Sequence, residues 1–469
     1  MSDRAARTLP AWALAFDAIG VGFILIAASV LVTGGYRGLT PIGRVSVTSW
    51  LRPLAAAVAL VVIRHWREPQ PSLARRVAVS VTAWWPSDAA RVVWPVFVST
   101  RIGVILIGFL GIAMLGYAPN TPPWRSYDND FYNLPARWDT GWYLGIAERG
   151  YRWDPALAHR MQNIAFFPAY PMLIRAATPF LGRQPMAAAM IVSFAAFFFA
   201  LCYLFRLARS AIGDDRAATA VALLAAYPFA VFYSTAYTES LFLLTAVGAC
   251  YHFERDELWR ASAWGVLAGL ARPNGCLLSI VLALMAWHAE APSAPAAAER
   301  QARRRLARLV AAAAPGIGLL IFSAYIYSLT GHPLEWARNH AAFGRVYRSL
   351  DLLVDDRIKY INANGFYNYV TVLVHDWVNV VPSIFGLAIA WPIYRRFGAP
   401  YGAMVLVNVL LPLLMGGVLS MGRVTSVIFP IFLWLAVVIP PRQRSAWLMA
   451  FAMTQALFAV AFFTWRPLY

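Results

Sequence analysis

Charge is scarce in this chain. Asp, Glu, Lys and Arg make up 13% of its 469 residues while 60% are hydrophobic, against roughly 25% charged in a soluble domain. Water is therefore not its main solvent. Lysine is nearly absent: Lys359 is the single lysine among 40 basic residues, and with the abundant alanine this bias points to a high-GC prokaryotic genome. The three cysteines, Cys202, Cys250 and Cys276, all fall inside apolar runs, which argues for buried small apolar residues and against a disulfide framework or a metal cluster. No Gly-rich phosphate loop follows a strand, so a nucleotide-binding fold is not expected. The apolar segments lack the alternation a membrane β-barrel requires. The first of them, 11–34, is too long for a signal-peptide core and reads as a retained span.

What the chain has in abundance is apolar runs approaching the roughly 20 residues that cross a bilayer as helix. They lie near 11–34, 50–66, 91–117, 186–208, 217–234, 237–253, 310–329, 368–394, 400–419, 424–440 and 445–463. The expected fold is an all-α polytopic helical bundle of about 11 to 13 transmembrane segments, with amphipathic helices in its long outer loops. Residues 1–90 would supply two N-terminal spans and a basic cytoplasmic linker, and 91–469 the core. The net charge of +18 does not point to nucleic acid. Its arginines cluster between spans, at Arg64, Arg67, Arg75 and Arg76, at Arg206, Arg209 and Arg216, at Arg300, Arg303, Arg304, Arg305 and Arg308, at Arg395 and Arg396, and at Arg442 and Arg444. That pattern puts these loops on the cytoplasmic side. Two segments then face outward, 118–185 and 330–367, both far longer than ordinary helix connections of about 2 to 8 residues.

Residues 261–289 lie between two segments that both look cytoplasmic. Two short helices meeting at Arg272-Pro273-Asn274-Gly275 fit better than one crossing, because Pro273 and Gly275 supply a break. About eleven residues climb only some 16 Å, which would leave Arg272 well inside the membrane. An arginine there is costly unless it faces a polar cavity or an anion.

The first outer loop interleaves acids with tryptophans: Tyr127-Asp128-Asn129-Asp130, then Arg137-Trp138-Asp139-Thr140-Gly141-Trp142-Tyr143, then Glu148-Arg149-Gly150-Tyr151, then Phe166-Phe167-Pro168-Ala169-Tyr170-Pro171. Trp and Tyr favour the headgroup level, so the loop is expected to lie on the bilayer and present its carboxylates there. The run from Arg137 to Pro171, with Tyr237-Thr238-Glu239-Ser240 and Gly269-Leu270-Ala271-Arg272-Pro273-Asn274-Gly275 after it, resembles the PIG-V family of mannosyltransferases and its prokaryotic members. Gly422-Arg423 followed by Phe429-Pro430 is similar to the family's last motif, so the likeness covers roughly 91 to the C-terminus. It implies a GT-C glycosyltransferase fold and an inverting transfer of a sugar, typically mannose, from a polyprenyl-phosphate carrier on the outer side of the inner (cytoplasmic) membrane. The two N-terminal spans fall outside the likeness, and the eukaryotic acceptor does not carry over.

Such a reaction needs a carboxylate to take the acceptor's proton and cations to stabilise the departing phosphate. The family's first-loop motif makes Asp139 the candidate base. A plain alternative is an Asp that caps the helix starting at Thr140, and Asp128 and Asp130 are rival bases. Arg272 and Arg423 are the candidates for the phosphate, although Arg423 could equally be a snorkelling interface residue. Arg137, Trp138, Tyr143, Tyr237 and Glu239 complete the expected substrate site. His375 and Asp376 lie in an apolar run where ionisable pairs are commonly functional. The second loop adds His332, Glu335, Arg338, His340, Arg345, Arg348, Asp351, Asp355 and Asp356, placed over the cavity. No metal-ligand spacing is present, and neither a metal nor another cofactor is expected. The expected partners are a polyprenyl-phosphate sugar, a lipid or glycan acceptor, membrane lipids and a second membrane protein. A transporter or flippase of lipid-linked glycans would also carry broken helices, but usually as paired repeats, and the two halves show no similarity. A membrane scaffold would not need three polar motifs on one face.

Overall fold

The structure, a computed structural model, describes residues 9–33, 36–40, 43–69, 71–73, 87–119, 125–288 and 295–468. Arg75 and Arg76 of the expected linker lie outside these residues. The architecture is a helical bundle; one antiparallel pair, Tyr36–Thr40 with Gly43–Val47, is the only sheet among the described residues. The chain falls into two compact units, Met1–Ser87 with Arg175–Arg183, and Asp88–Ile174 with Gln184–Tyr469.

In the first unit, helices Ala11–Thr33 and Leu51–Arg67 pack together. Asp17 faces the partner helix and is neutralised by Arg64 Nε at 3.1 Å, with both side chains buried. Arg64 also donates to the carbonyls of Glu68 and Pro71, each at 2.7 Å, which caps the helix end. A charge buried in an apolar hairpin needs such a partner to be tolerated.

In the second unit, the five described helices long and apolar enough to cross a membrane are Asp88–Leu115, Pro185–Ile212, Gln301–Thr330, Val374–Phe397 and Pro441–Phe463. These make the chain a multi-pass membrane protein. Other expected spans are interrupted. The run 217–234 becomes Asp214–Ala226 followed by Pro228–Ser234, bent by 78°. Pro228 has no N–H to continue the ladder. The carbonyls freed by the break are taken up by buried side chains: Arg101 donates to the oxygens of Ala225 and Ala230, each at 2.7 Å, and Gln455 to those of Ala225 and Tyr227, each at 3.0 Å. In hydrocarbon, such carbonyls would otherwise cost several kcal/mol each. The run 424–440 is likewise divided, into Met421–Ser426 and Pro430–Val438, with Pro430 again opening the second piece.

The segment 261–289 is broken where the sequence predicts. Helix Leu258–Ala271 stops at Arg272, which is extended, and Pro273–Leu277 turns into Leu278–Trp287. A Cβ on Gly275 would collide with the backbone of Ala268, and one on Gly269 with the backbone of Pro315 in helix Ala314–Thr330. Both glycines are required by these close backbone approaches.

Arginines of the expected cytoplasmic loops converge on acids of neighbouring loops. Asp88 holds Arg206 and Arg209 at 2.5 and 2.9 Å, Asp215 holds Arg444 at 2.6 Å, and Asp256 pairs with Arg304 and Arg308. The long connections 118–185 and 330–367 carry short helices, among them Thr140–Arg149, Ala169–Ala177, Glu335–Asn339 and Leu350–Asn364. Asn339 ties the two connections together: its Oδ1 accepts from the Gln162 N–H at 3.0 Å and its Nδ2 donates to the Arg160 carbonyl at 2.8 Å.

Candidate functional site

Asp139 is held by its neighbours. Arg137 is fully buried and donates to three main-chain carbonyls, Phe463 and Ala136 at 2.8 Å and Asn133 at 2.7 Å. Trp138 takes a left-handed backbone conformation, φ +48°, unusual for a bulky residue, and its ring lies 5.0 Å from that of Trp465. These two anchors fix the chain against the end of the last long helix, and the turn sends Asp139 the other way. The Asp139 N–H donates to the Tyr237 hydroxyl at 3.1 Å, and that hydroxyl donates to the Arg137 carbonyl at 3.3 Å. The Asp139 side chain makes no capping bond to helix Thr140–Arg149.

Its carboxylate instead accepts from Arg423 Nη1 at 2.8 Å. Arg423 also donates through Nε to Glu239 Oε1, and Arg272 Nη1 donates to that same oxygen at 2.6 Å. The result is a line of alternating charge, Asp139, Arg423, Glu239, Arg272. Burial separates the two acids: the Glu239 side chain is 0% exposed, that of Asp139 26%. Of the two, Asp139 is the one open to solvent. Glu239 opens helix Glu239–Glu254, where a negative charge is favourable, and its Oε2 is buried with no hydrogen-bond partner among the described residues.

Local backbone explains how Arg423 reaches inward. Ser420 is left-handed at φ +61°, and the Gly422 N–H donates to Asn379 Oδ1 at 2.8 Å. A Cβ on Gly422 would overlap the Phe229 ring. The Arg423 guanidinium lies 4.5 Å from the Tyr237 ring centre and 5.4 Å from that of Phe232, a cation against aromatic faces. With a side chain 8% exposed and two carboxylate partners, it does not snorkel to an interface.

Tyr143 is buried beside the cluster, its ring edge-on to Tyr170 at 5.4 Å and Tyr237 at 6.2 Å. Burial pushes its phenol up to about 12, so it remains a neutral donor. Tyr237, Glu239, Arg272 and Arg423 are thus brought together with Asp139, while Arg137 and Trp138 stand behind it as anchors. The rival acids are elsewhere. Asp130 accepts from Tyr117 at 2.9 Å and faces Arg125 at 3.3 Å, and Asp128 is exposed. Asp376 is gripped by both Arg357 Nε and Nη2, at 2.8 and 2.6 Å, and by the Tyr369 hydroxyl at 2.8 Å. That network joins the second long connection to helix Val374–Phe397.

Arg345, one of many charges in the second connection, proves to belong to the cluster. It is half-buried within electrostatic reach of Arg423, Arg272 and Asp139, and burial with its two fellow cations lowers its pKa to about 10. Asp139 is the carboxylate within its electrostatic reach, and no ion pair joins Arg345 to a carboxylate among the described residues. Beside the site, Trp142 stacks on Phe166 at 5.5 Å and Phe343 closes edge-on against both, at 5.8 and 5.4 Å. No signal in the linear sequence marks Phe343 or Arg345, since their neighbours come from the other loop. No three of His, Cys, Asp and Glu converge among the described residues.

The fold and site together define a multi-pass membrane protein with a carboxylate and arginine cluster to which two long loops contribute. The family model described as "Mannosyltransferase (PIG-V)" matches residues 124–369, and the chain belongs to that family. It is 29% identical over 150 residues to GPI alpha-1,6-mannosyltransferase 2 of Mus musculus and 31% identical over 150 residues to that of Cricetulus griseus. Each match covers 30% of this chain and 29% of the relative, so the chain spans under a third of the length of these relatives. Among solved structures it is similar to the Archaeoglobus fulgidus oligosaccharyltransferase. A complex with Zn and sulfate matches at 14% identity and TM-score 0.37 over 78% of this chain and 53% of that one. A form tethered to an acceptor peptide matches at 13% identity and TM-score 0.38 over 80% and 55%.

Proposed function

We propose that this protein is an inverting glycosyltransferase that moves a hexose, most simply mannose, from a polyprenyl-phosphate carrier to a lipid or glycan hydroxyl at the outer face of the inner membrane. The observation that carries the reading is the Asp139–Arg423 pair: a partly exposed carboxylate 2.8 Å from a buried guanidinium. Family membership favours mannose as the sugar. The acceptor oxygen attacks the anomeric carbon and passes its proton to Asp139. The bond from that carbon to the phosphate oxygen breaks, and the departing phosphate gathers negative charge. Arg423 and Arg272 are the cations assigned to that charge, and fixed cations in a water-poor site stabilise it without reorganising. Glu239 takes no proton in this scheme; it keeps both arginines in place and aligned.

The arrangement suits a lipid donor. The aromatic wall of Trp142, Phe166 and Phe343, built from both long loops, offers apolar faces to a sugar or prenyl chain. The test is transfer by the purified, detergent-reconstituted protein from radiolabelled polyprenyl-phosphate mannose to a membrane lipid extract, with Asp139→Asn alongside. Label in a new glycolipid with wild type alone supports both the reaction and the base. Label that never leaves the carrier overturns the donor assignment, and an active Asp139→Asn overturns the base.

A further inference from the structure

Three guanidiniums, those of Arg272, Arg345 and Arg423, share this site with two carboxylates, Asp139 and Glu239. Glu239 is consumed by Arg272 and the Nε edge of Arg423. Asp139 takes the Nη1 edge of Arg423, and Arg345 is left over. The cluster therefore lacks one negative charge, which is what a phosphodiester carries. Arg345 comes to the cluster from the second connection. It follows Gly344, which is left-handed at φ +80°, and its side chain lies across Gly416, where a Cβ would come 2.9 Å from Arg345 Cδ. The bend at Gly416 and Gly417 thus makes room for the arginine to reach in from the second connection.

The same pairing poses a difficulty for catalysis. In its observed contact Asp139 is engaged by the cation that the departing phosphate will need. Resting on the reading above, we propose that the donor phosphate binds between Arg345 and Arg423 and takes the place of Asp139 on Arg423, so that the base is released only when the donor is seated. Asp139 is then an internal competitor of the phosphate as well as the proton acceptor. Arg345 is a donor-binding residue on the other side of the phosphate, where no ion pair has to be displaced. A phosphomonoester carries about −1.5 to −2 at neutral pH, so the carrier left after transfer holds Arg423 at least as firmly until it departs, and only then does Asp139 return.

The test is equilibrium binding of radiolabelled polyprenyl phosphate to the full chain in detergent, which needs no turnover. Asp139→Asn is expected to bind about tenfold more tightly than wild type, one decade of affinity being about 1.4 kcal/mol, even though it cannot transfer. Arg345→Gln is expected to bind about tenfold more weakly, with Arg345→Lys between it and wild type. Asp130→Asn, a remote carboxylate, should leave binding unchanged. Unchanged or weaker binding by Asp139→Asn overturns the exchange, as does equal tightening by Asp130→Asn, which would make the effect one of bulk charge. Wild-type affinity in Arg345→Gln removes Arg345 from the site. Should wild type itself bind no polyprenyl phosphate, the donor reading falls and this inference with it, a result distinct from the others.

Discussion

Arg423 and Asp139 are 284 positions apart in the chain and 2.8 Å apart in space. On the other side of Arg423 in the line of charges stands Glu239, with no exposure at all. A buried carboxylate shared by two arginines is an electrostatic keystone, because removing it leaves two cations facing each other in a site with little water. Glu239→Gln is therefore expected to lower stability by about 3–5 kcal/mol, the usual cost of breaking a buried ion pair from one side. Thermal unfolding of the detergent-purified protein measures this, and the transfer assay should show activity lost with it.

Arg137 is expected to behave differently from the other arginines. Its N–H groups are spent on the carbonyls of Phe463, Asn133 and Ala136. Arg137→Lys can satisfy fewer of them, and each orphaned buried acceptor costs about 1–3 kcal/mol. The expected outcome is a lower unfolding midpoint, with the KM for donor within about twofold of wild type in the molecules that fold. A donor KM raised tenfold with an unchanged midpoint would return Arg137 to the substrate-binding set.

Gly422→Ala introduces a methyl into the space held by the Phe229 ring. Overpacking of this kind typically costs about 1–3 kcal/mol, and here it would also shift the turn that carries Arg423. Activity is expected to fall at least tenfold. Phe229→Leu in the same chain should recover a substantial part, and a double-mutant cycle quantifies the coupling.

His340 supplies a pH dependence outside the spans. Burial, with the charge of Arg345 added, lowers its pKa from 6.5 to about 4. Its ring lies edge-on to Trp336 at 5.8 Å. The unfolded segment takes up a proton near 6.5 that the folded one refuses until about 4. The folded loop thus has its full stability above pH 6.5 and loses it as pH falls through this window, on the order of 3 kcal/mol in all. Hydrogen exchange of residues 335–345 should rise as pH is lowered from 7 to 4, after correction for intrinsic exchange, and His340→Gln should flatten that rise.

Much of this was legible in the sequence because composition and proline placement act locally. Scarce charge and long apolar runs imply a membrane bundle, and Pro273 with Gly275 announces the break at Arg272. Pro228 and Pro430 carry the same kind of signal, yet 217–234 and 424–440 read as continuous because hydrophobicity alone does not register a missing N–H. Asp139 could be read as a helix cap or as a base from its neighbours alone. The choice depends on Arg423, whose distance along the chain hides the contact. Arg345 was one charge among many in its loop, and only the approach of Gly416 and the Arg423 cluster distinguishes it.

The spacing of the cluster along the chain also sets an order of biogenesis. At roughly 5–20 residues per second, synthesis of the stretch from Asp139 to Arg423 takes about 15 to 60 s. For the last 184 residues of that stretch Glu239 has been made and its second counter-ion, Arg423, has not. The early helices therefore wait, with a carboxylate whose burial is affordable only once the late helix Met421–Ser426 arrives. Nascent chains halted before residue 423 are expected to be the ones that membrane quality control recognises, since a half-neutralised acid is a mark of unfinished assembly.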